Sequence, residues 1–317
     1  MKVSRALLLL IFGLVIALPG IAPAAENYPT RPITFIIPYP PGGNAEIALR
    51  PLVEAVGREL NANFVVTPMP GAGAMTGLSK ALSSKPDGYT LFVGAYTNFT
   101  IASQLRPVRF TWETPEYIGT VTNVTMYLGV DKENNKFPDF QSLVDYAKAN
   151  PGKLNVAQVG NAGIHQIMSL RLMKKLGISF QPVPFDGGPP CVAAVLGGHA
   201  DALYTDNYNP ALRPLFLGAA PSEYYPGVPT LAELGHEDIA MGIFYVIGAP
   251  QGTPKPILEK LEKAFEKAVQ AQEYKDRLAT LKWEPIWRDA AETRAAIAKE
   301  AAAVKQLIDE GLLQRAE

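Results

Sequence analysis

The chain has 317 residues, with 29 Lys+Arg against 30 Asp+Glu, three His and a single Cys. A net charge of −1 gives no support to nucleic-acid binding, and one cysteine excludes an internal disulfide or a Cys-rich zinc site. The length suits two domains with cores that need no covalent staples, and no apolar run after residue 25 approaches the roughly 18 residues of a membrane span.

The first segment reads as a secretory signal peptide. Lys2 and Arg5 precede an apolar stretch over 6–18, and the small-x-small triplet Ala22-Pro23-Ala24 follows. Pro19, Gly20 and Pro23 break the stretch, and no cysteine follows to carry a lipid. Cleavage is expected after Ala24 or Ala25. Removing 1–24 takes Lys2 and Arg5 from the 29 basic residues, leaving 27 against 30 acidic ones, a net −3.

Strand and helix signals then alternate. The apolar β-branched run 33–38 suits a buried strand and is ended by Pro40-Pro41-Gly42-Gly43. Asn44 is a candidate N-cap, Glu46 lies in the first turn, and Leu49, Leu52, Val56 and Leu60 recur at helical spacing. Pro51 falls inside this helix, so a kink or restart is expected there. A strand over 64–67, a Gly-rich loop at 70–73, a helix over 76–83 and a strand over 89–93 complete the grammar of an open parallel sheet. The pattern repeats: a helix over 140–149, a strand over 154–158, a loop at 160–163 and a helix over 164–176 closed by Gly177. A strand over 180–185, a helix from 189 and a strand over 202–205 follow. The tail reads as helical, with Thr253 as a cap before Pro254, and Asp289 and Glu292 as a capping box.

Two Gly-rich segments, 38–46 (PYPPGGNAE) and 157–166 (AQVGNAGIHQ), each end a strand and open a helix. Free amides at helix starts carry partial positive charge, so each is a candidate anion seat needing no Lys or Arg, or else a plain tight turn. Neither carries the Lys-Ser/Thr of a phosphate loop or the dinucleotide glycine spacing. Catalytic constellations are scarce. Cys191 is a helix-start nucleophile or, more commonly for such a residue, a small buried filler. His165, His199 and His236 show no metal-ligand spacing, though His165 falls in the first turn of a candidate ligand helix. Asp206-Asn207 follows a strand, and Tyr39, Tyr96, Phe185 and Tyr208 sit at strand ends, as core or as pocket wall.

The segments YPTRPITFIIPYPPGGNAEIALR, PMPGAGAMTG, KPDGYTLFVG, NPGKLNVAQVGNAG, PVPFDGGPP, LGGHADALYTDN, GVPTLAELG and GAPQGTPKPILEKL stand in this order along the chain. The whole mature sequence thereby resembles the TctC-type, or Bug, solute-binding proteins of tripartite tricarboxylate transporters. The resemblance implies an α/β, two-domain periplasmic binding protein fold of type II-like form. Each domain would be a mixed, mostly parallel sheet flanked by helices, with a ligand cleft between them. The implied domains are 25–125 with 243–317, and 126–242, with crossings near 124–128 and 241–245. It further implies a monomeric periplasmic protein without cofactor, metal or catalytic residues, binding a small carboxylate and membrane transporter subunits. The facing loops would supply Tyr39, Pro41, Gly42, Gly43, Asn44, Ala45 and Glu46, and Gly160, Asn161, Ala162, Gly163 and His165. Tyr96, Thr97, Phe185, Asp206 and Asn207 would complete the wall.

The departures from the family pattern bear on the ligand. Asn44-Ala45-Glu46 stands where the family has Ser-Thr-Asp. Gly163, Ile164 and His165 replace hydroxyls, and Met69 replaces an Arg. Lost hydroxyls and added apolar groups point away from citrate toward an aromatic, terephthalate-like carboxylate. The alternatives are a signalling partner loaded with an aliphatic di- or tricarboxylate or an amino acid, and an exported enzyme using Cys191 or His165.

Overall fold

The computed structural model describes residues 27–159, 163–185 and 187–314. The leader expected over 1–24, with its cleavage sites, lies outside the described residues, as do Gly160, Asn161 and Ala162.

The first sheet has six strands in the order β11-β4-β10-β3-β1-β2. They are β1 (Ile33–Ile37), β2 (Phe64–Pro68), β3 (Thr90–Ala95), β4 (Glu116–Val124), β10 (Ile243–Ala249) and β11 (Glu284–Arg288). β2, β1 and β3 run parallel, whereas β10 is antiparallel to β3 and β4, and β11 to β4. Side chains alternate between faces, as the strand period requires. Ile33, Phe35 and Ile37 join the core under helices α1 (Asn44–Leu60), α6 (Lys255–Val269) and α7 (Gln272–Leu281), while Ile36 and Phe92 face the opposite layer. That layer holds α2 (Met75–Leu82), a π-helical turn (Asn98–Ala102) and part of α8 (Ala290–Asp309). With both faces covered, β1 reads as an apolar run interrupted by Thr34 alone, rather than as an alternating one.

The second sheet is β7-β6-β8-β5-β9, from β5 (Tyr127–Asp131), β6 (Asn155–Val159), β7 (Gln181–Phe185), β8 (Ala202–Thr205) and β9 (Leu212–Leu217). β7, β6 and β8 are parallel, and β5 is antiparallel to both of its neighbours. Helices α3 (Phe140–Ala149), α4 (Ile164–Leu176) and α5 (Gly188–Leu196) cover it.

Several local expectations shift. The tail is not helical throughout, because Glu284–Arg288 is an edge strand. Gly43, not Asn44, caps α1, and the helix continues through Pro51 without a restart. Thr253 caps nothing: its hydroxyl donates to the Pro250 carbonyl at 2.8 Å, and α6 begins at Lys255. The Asp289–Glu292 capping box is present on α8.

The chain passes between sheets at Thr125-Met126 and again over 218–242. These segments lie side by side: Gly218 N–H donates to Met126 O at 2.7 Å, and Met241 N–H to Gly218 O at 2.8 Å. A Cβ on Gly242 would sit 2.8 Å from Ala219 Cβ, so only glycine permits this approach. α8 forms a third link. Its residue Ile297 packs with Phe92 and Phe99, but Val304, Leu307 and the following Leu313 enter the core of the second sheet.

Glu284 pins the crossing from β11. Its Oε2 accepts from Thr125 Oγ1 at 2.8 Å and Asn123 Nδ2 at 3.2 Å, whereas Glu284 Oε1 and Asn123 Oδ1 are both buried without a partner. Burial pushes the Glu284 carboxyl above its ordinary value, opposed in part by the Ser222 and Thr125 hydroxyls and the Asn123 amide. A raised folded pKa contributes stability that is complete below the unfolded value of 4.5 and is lost as pH rises through the folded one. Glu284→Gln keeps an uncharged partner at every pH. It should therefore raise the melting temperature at pH 7–8 by about 2 °C, with the gain fading toward pH 4.5. A thermal melt series across pH checks this, and a pH-independent shift counts against it.

Candidate functional site

The two helix starts singled out in the sequence open α1 and α4, and neither is capped by a side chain. Such starts leave backbone N–H groups for an anion. The first seat is partly filled from within. The Glu46 carboxylate accepts from Gly42 N–H at 2.8 Å and pairs with Arg50, and these two contacts hold its pKa below the ordinary value. Gly42 has φ +72°, which aims that amide back at Glu46. Ala45 is packed into the core of the first sheet, so only its backbone is available to a ligand. Pro41 is exposed, and Gly43 is half-buried at the helix start.

Asn44 and Asn207 come together from opposite sheets, with Asn44 Nδ2 donating to Asn207 Oδ1 at 3.4 Å. Asn207 is held in place by three bonds. Its carbonyl accepts from Tyr127 OH at 2.8 Å, its N–H donates to Thr205 Oγ1 at 3.1 Å, and its side-chain amide donates to Asp206 Oδ1 at 3.0 Å. Burial raises the pKa of Tyr245, on the first sheet, and of Tyr127 and Tyr225, beside the second, and the negative charge of Asp206 adds to each. Asp206 therefore lies where the two sheets meet.

Two aromatic ladders flank this junction. On the first sheet Tyr39 packs edge-on to Tyr245 at 5.7 Å, and Tyr245 packs on Trp283 at 5.7 Å. The Tyr39 hydroxyl donates to Asn98 Oδ1 at 2.9 Å and accepts from Ala95 N–H at 2.8 Å, which fixes the ring. On the second sheet Tyr127 packs on Tyr225 at 5.3 Å, and Tyr225 on Tyr208 at 6.1 Å. Lys282 links the two sides, its Nζ lying 5.0 Å from the Tyr224 ring and 5.8 Å from the Tyr208 ring. Its φ of +59° is a left-handed conformation that favours glycine.

His165 is the most specific feature. It is 6 % exposed and stacks on Tyr204 with the rings 9° from parallel. Its Nδ1 accepts from Val159 N–H at 3.1 Å, so the neutral ring carries its proton on Nε2. Nε2 is buried and has no partner among the described residues. Burial lowers the His165 pKa, with Asp206 opposing. The site thus offers one dry, oriented N–H donor beside the start of α4.

Other expected residues lie further off. Phe185 packs with Val192 and Cys191 in the α5 layer. Tyr96 packs with Phe244 at 5.7 Å on the α8 side of the first sheet, and half-buried Thr97 starts the π-helical turn. Cys191 is fully buried, donates to Gly187 O at 3.3 Å and has its pKa raised by burial, as suits a filler and not a nucleophile. No group of three His, Cys, Asp or Glu among the described residues is placed to hold a metal. No helix among them is long and apolar enough to cross a membrane. Sequence reasoning missed Tyr245, Lys282, Trp283 and Tyr225. The short aromatic run Trp283-Glu284-Pro285-Ile286-Trp287 is the one local signal for the β11 edge.

This arrangement, two sheets joined by paired crossings around a cleft with uncapped helix starts, is that of a solute-binding receptor. Residues 48–313 match the model of the tripartite tricarboxylate transporter family receptor, TctC, and the chain belongs to this family of receptors rather than to an enzyme family. A UPF0065 protein from the gbd 5′ region of Cupriavidus necator is 31% identical over 89% of this chain and 89% of its own length. Protein BugT of Bordetella pertussis is 27% identical over 92% of this chain and 94% of its own. Among solved structures, a ligand-free TctC solute-binding protein from Polaromonas aligns with TM-score 0.80 at 25% identity, covering 89% of this chain and 99% of that one. A malate-bound MatC from Rhodopseudomonas palustris (TM-score 0.69, 22% identity, 89% and 100% covered) has the same fold. So does an adipate-bound protein of R. palustris (TM-score 0.73, 19% identity, 92% and 100% covered).

The depressed His165 pKa carries a pH signature. The neutral ring favours the fold above the ordinary value of 6.5, and that contribution is lost as pH falls below it, where the unfolded chain takes up a proton the native ring resists. His165→Gln should lower the melting temperature less between pH 7 and pH 5.5 than the wild type does. Parallel slopes for the two proteins would refute this.

Proposed function

We propose that the protein is an exported periplasmic receptor. It captures a small organic carboxylate between its two sheets and delivers it, as a monomer, to the membrane subunits of a tripartite tricarboxylate transporter. The observation that carries the reading is His165 Nε2–H, a buried donor without an acceptor beside the uncapped start of α4. A carboxylate oxygen satisfies that donor, and a charge-assisted bond in a dry site is among the stronger hydrogen bonds available. The two bodies, residues 25–125 with 243–317 and residues 126–242, close on the ligand by bending at the paired crossings. Contacts made only in the closed state drive that closure.

The finer proposal is an aromatic carboxylate of terephthalate type. The support is the pair of tyrosine ladders, which suit the flat faces of a ring. One carboxylate would sit at His165 and the α4 start. A second would extend toward Lys282, away from the charge of Asp206. Malate and adipate, the ligands of the two R. palustris structures, are the aliphatic comparison.

A thermal-shift titration separates these. A ligand at 100 times its dissociation constant stabilises by about 2.7 kcal/mol. Terephthalate should raise the melting temperature by several degrees, and His165→Gln should weaken its binding by at least about tenfold, the loss of one good hydrogen bond. Shifts with malate or adipate alone would refute the aromatic part. No shift with any of the three would refute the carboxylate reading.

A further inference from the structure

A cavity of about 250 Å³ lies on the α8 side of the first sheet, against the second crossing segment. It shares only Tyr96 with the residues expected in the cleft. Its floor is Ala240, Met241 and Gly242 of the crossing, and one wall is Ala296 and Ile297 of α8. Arg288 from the edge strand β11 lines it. The guanidinium carbon lies over the Phe244 ring, 4.5 Å from its centroid. It forms no ion pair, and none of its five N–H groups meets an acceptor among the described residues, although the side chain is half-buried. Burial pulls the Arg288 pKa down, with Glu292 and Tyr96 opposing. The acid lining the cavity, Glu300, is committed elsewhere, in a two-point pair with Arg171 at 2.8 and 3.3 Å. Tyr96 is buried, which raises its pKa; the charge of Glu300 adds to this and those of Arg171 and Arg288 oppose it, and its hydroxyl has no hydrogen-bond partner among the described residues. The Thr120 and Thr293 hydroxyls at the edge bond to each other at 2.8 Å.

A guanidinium stacked on an aromatic ring has its fork fixed in one plane and presents two parallel N–H groups, the complement of a carboxylate. A half-buried cation without an ion pair is costly, and an anion in the cavity reduces that cost. The apolar floor and wall select against a bare, fully hydrated ion. The volume, at the small end for ligand sites, limits the body to a few carbons.

We infer that this cavity is a second binding site, separate from the cleft, for a short-chain monocarboxylate held by Arg288 and the Tyr96 hydroxyl with its tail against Met241 and Ile297. The site touches both the crossing segment and α8, so its occupant sits where the two sheets are joined.

The test is an NMR titration of the mature protein with butyrate as probe. The wild type should show saturable binding at millimolar butyrate. Arg288→Gln should weaken it by at least about tenfold, the loss of a bidentate charged pair. Ala296→Phe, a change at an exposed helix position, should fill the cavity and abolish binding, and it serves if Arg288→Gln folds poorly. His165→Gln should leave butyrate affinity within about twofold, because it alters only the cleft. The inference is overturned if the wild type does not bind butyrate, if Ala296→Phe binds as the wild type does, or if His165→Gln removes binding, which would put butyrate in the cleft.

Discussion

Helix α8 belongs to two cores at once, and this constrains everything the molecule can do. Near its start Thr293 bonds Thr120, Ile297 packs beside Phe99, and the Ala301 carbonyl accepts from Gln104 at 2.9 Å. Near its end Val304 and Leu307 pack with Leu143 and Ile167 of the second sheet. Between these stretches Glu300 grips Arg171 of α4 with both oxygens, in a pair whose side chains are 15 % and 8 % exposed. Removing one partner of such a pair costs about 3–5 kcal/mol, because a buried charge is left alone. Any motion of the sheets that separated Glu300 from Arg171 would carry that cost, whereas among the described residues the cleft side is bridged by the Asn44–Asn207 bond at 3.4 Å and the Lys282 contacts.

The electrostatics of the cleft follow from what surrounds it. A net charge of about −1 for the whole chain offers an anion no general attraction, so the pull must be local. On the proposed reading it comes from the α1 and α4 starts, from the neutral His165 donor and from Lys282. Two carboxylates already occupy part of the space. Glu46 neutralises the first seat by binding Gly42, and Asp206 sits at the junction, where it acts on tyrosines of both sheets. On the proposed reading this leaves His165 and the α4 start as the stronger anion position.

The parallel halves of both sheets were legible because each strand–loop–helix unit is local: an apolar run, a Gly-rich break and a helical stripe within about 30 residues. The antiparallel strands β4, β10 and β11 were not, since their pairing joins residues more than a hundred positions apart, such as Glu284 with Asn123. The same distance hid much of the site. His165, Asn44 and Asn207 stand next to Gly-rich breaks and could be named from the sequence. Lys282 and Tyr225 become wall residues only through tertiary packing and carry no local mark. Ala45 and Phe185, by contrast, stand beside the right motifs, yet their side chains turn into cores. Being near a loop in sequence settles where the backbone goes, not which way the side chain points.

Buried side-chain atoms without a partner among the described residues include Glu284 Oε1 and Asn123 Oδ1 at the first crossing and His165 Nε2 at the start of α4, besides the Thr100 and Tyr204 hydroxyls and His236 Nδ1. A well-packed core pairs nearly all such atoms. Unpaired atoms that lie where two bodies meet, and where a helix start is left uncapped, are what a receptor needs if its ligand and its own closure are to complete the hydrogen bonding. A fold satisfied at every such position in one geometry would hold little free energy in reserve for binding to select another.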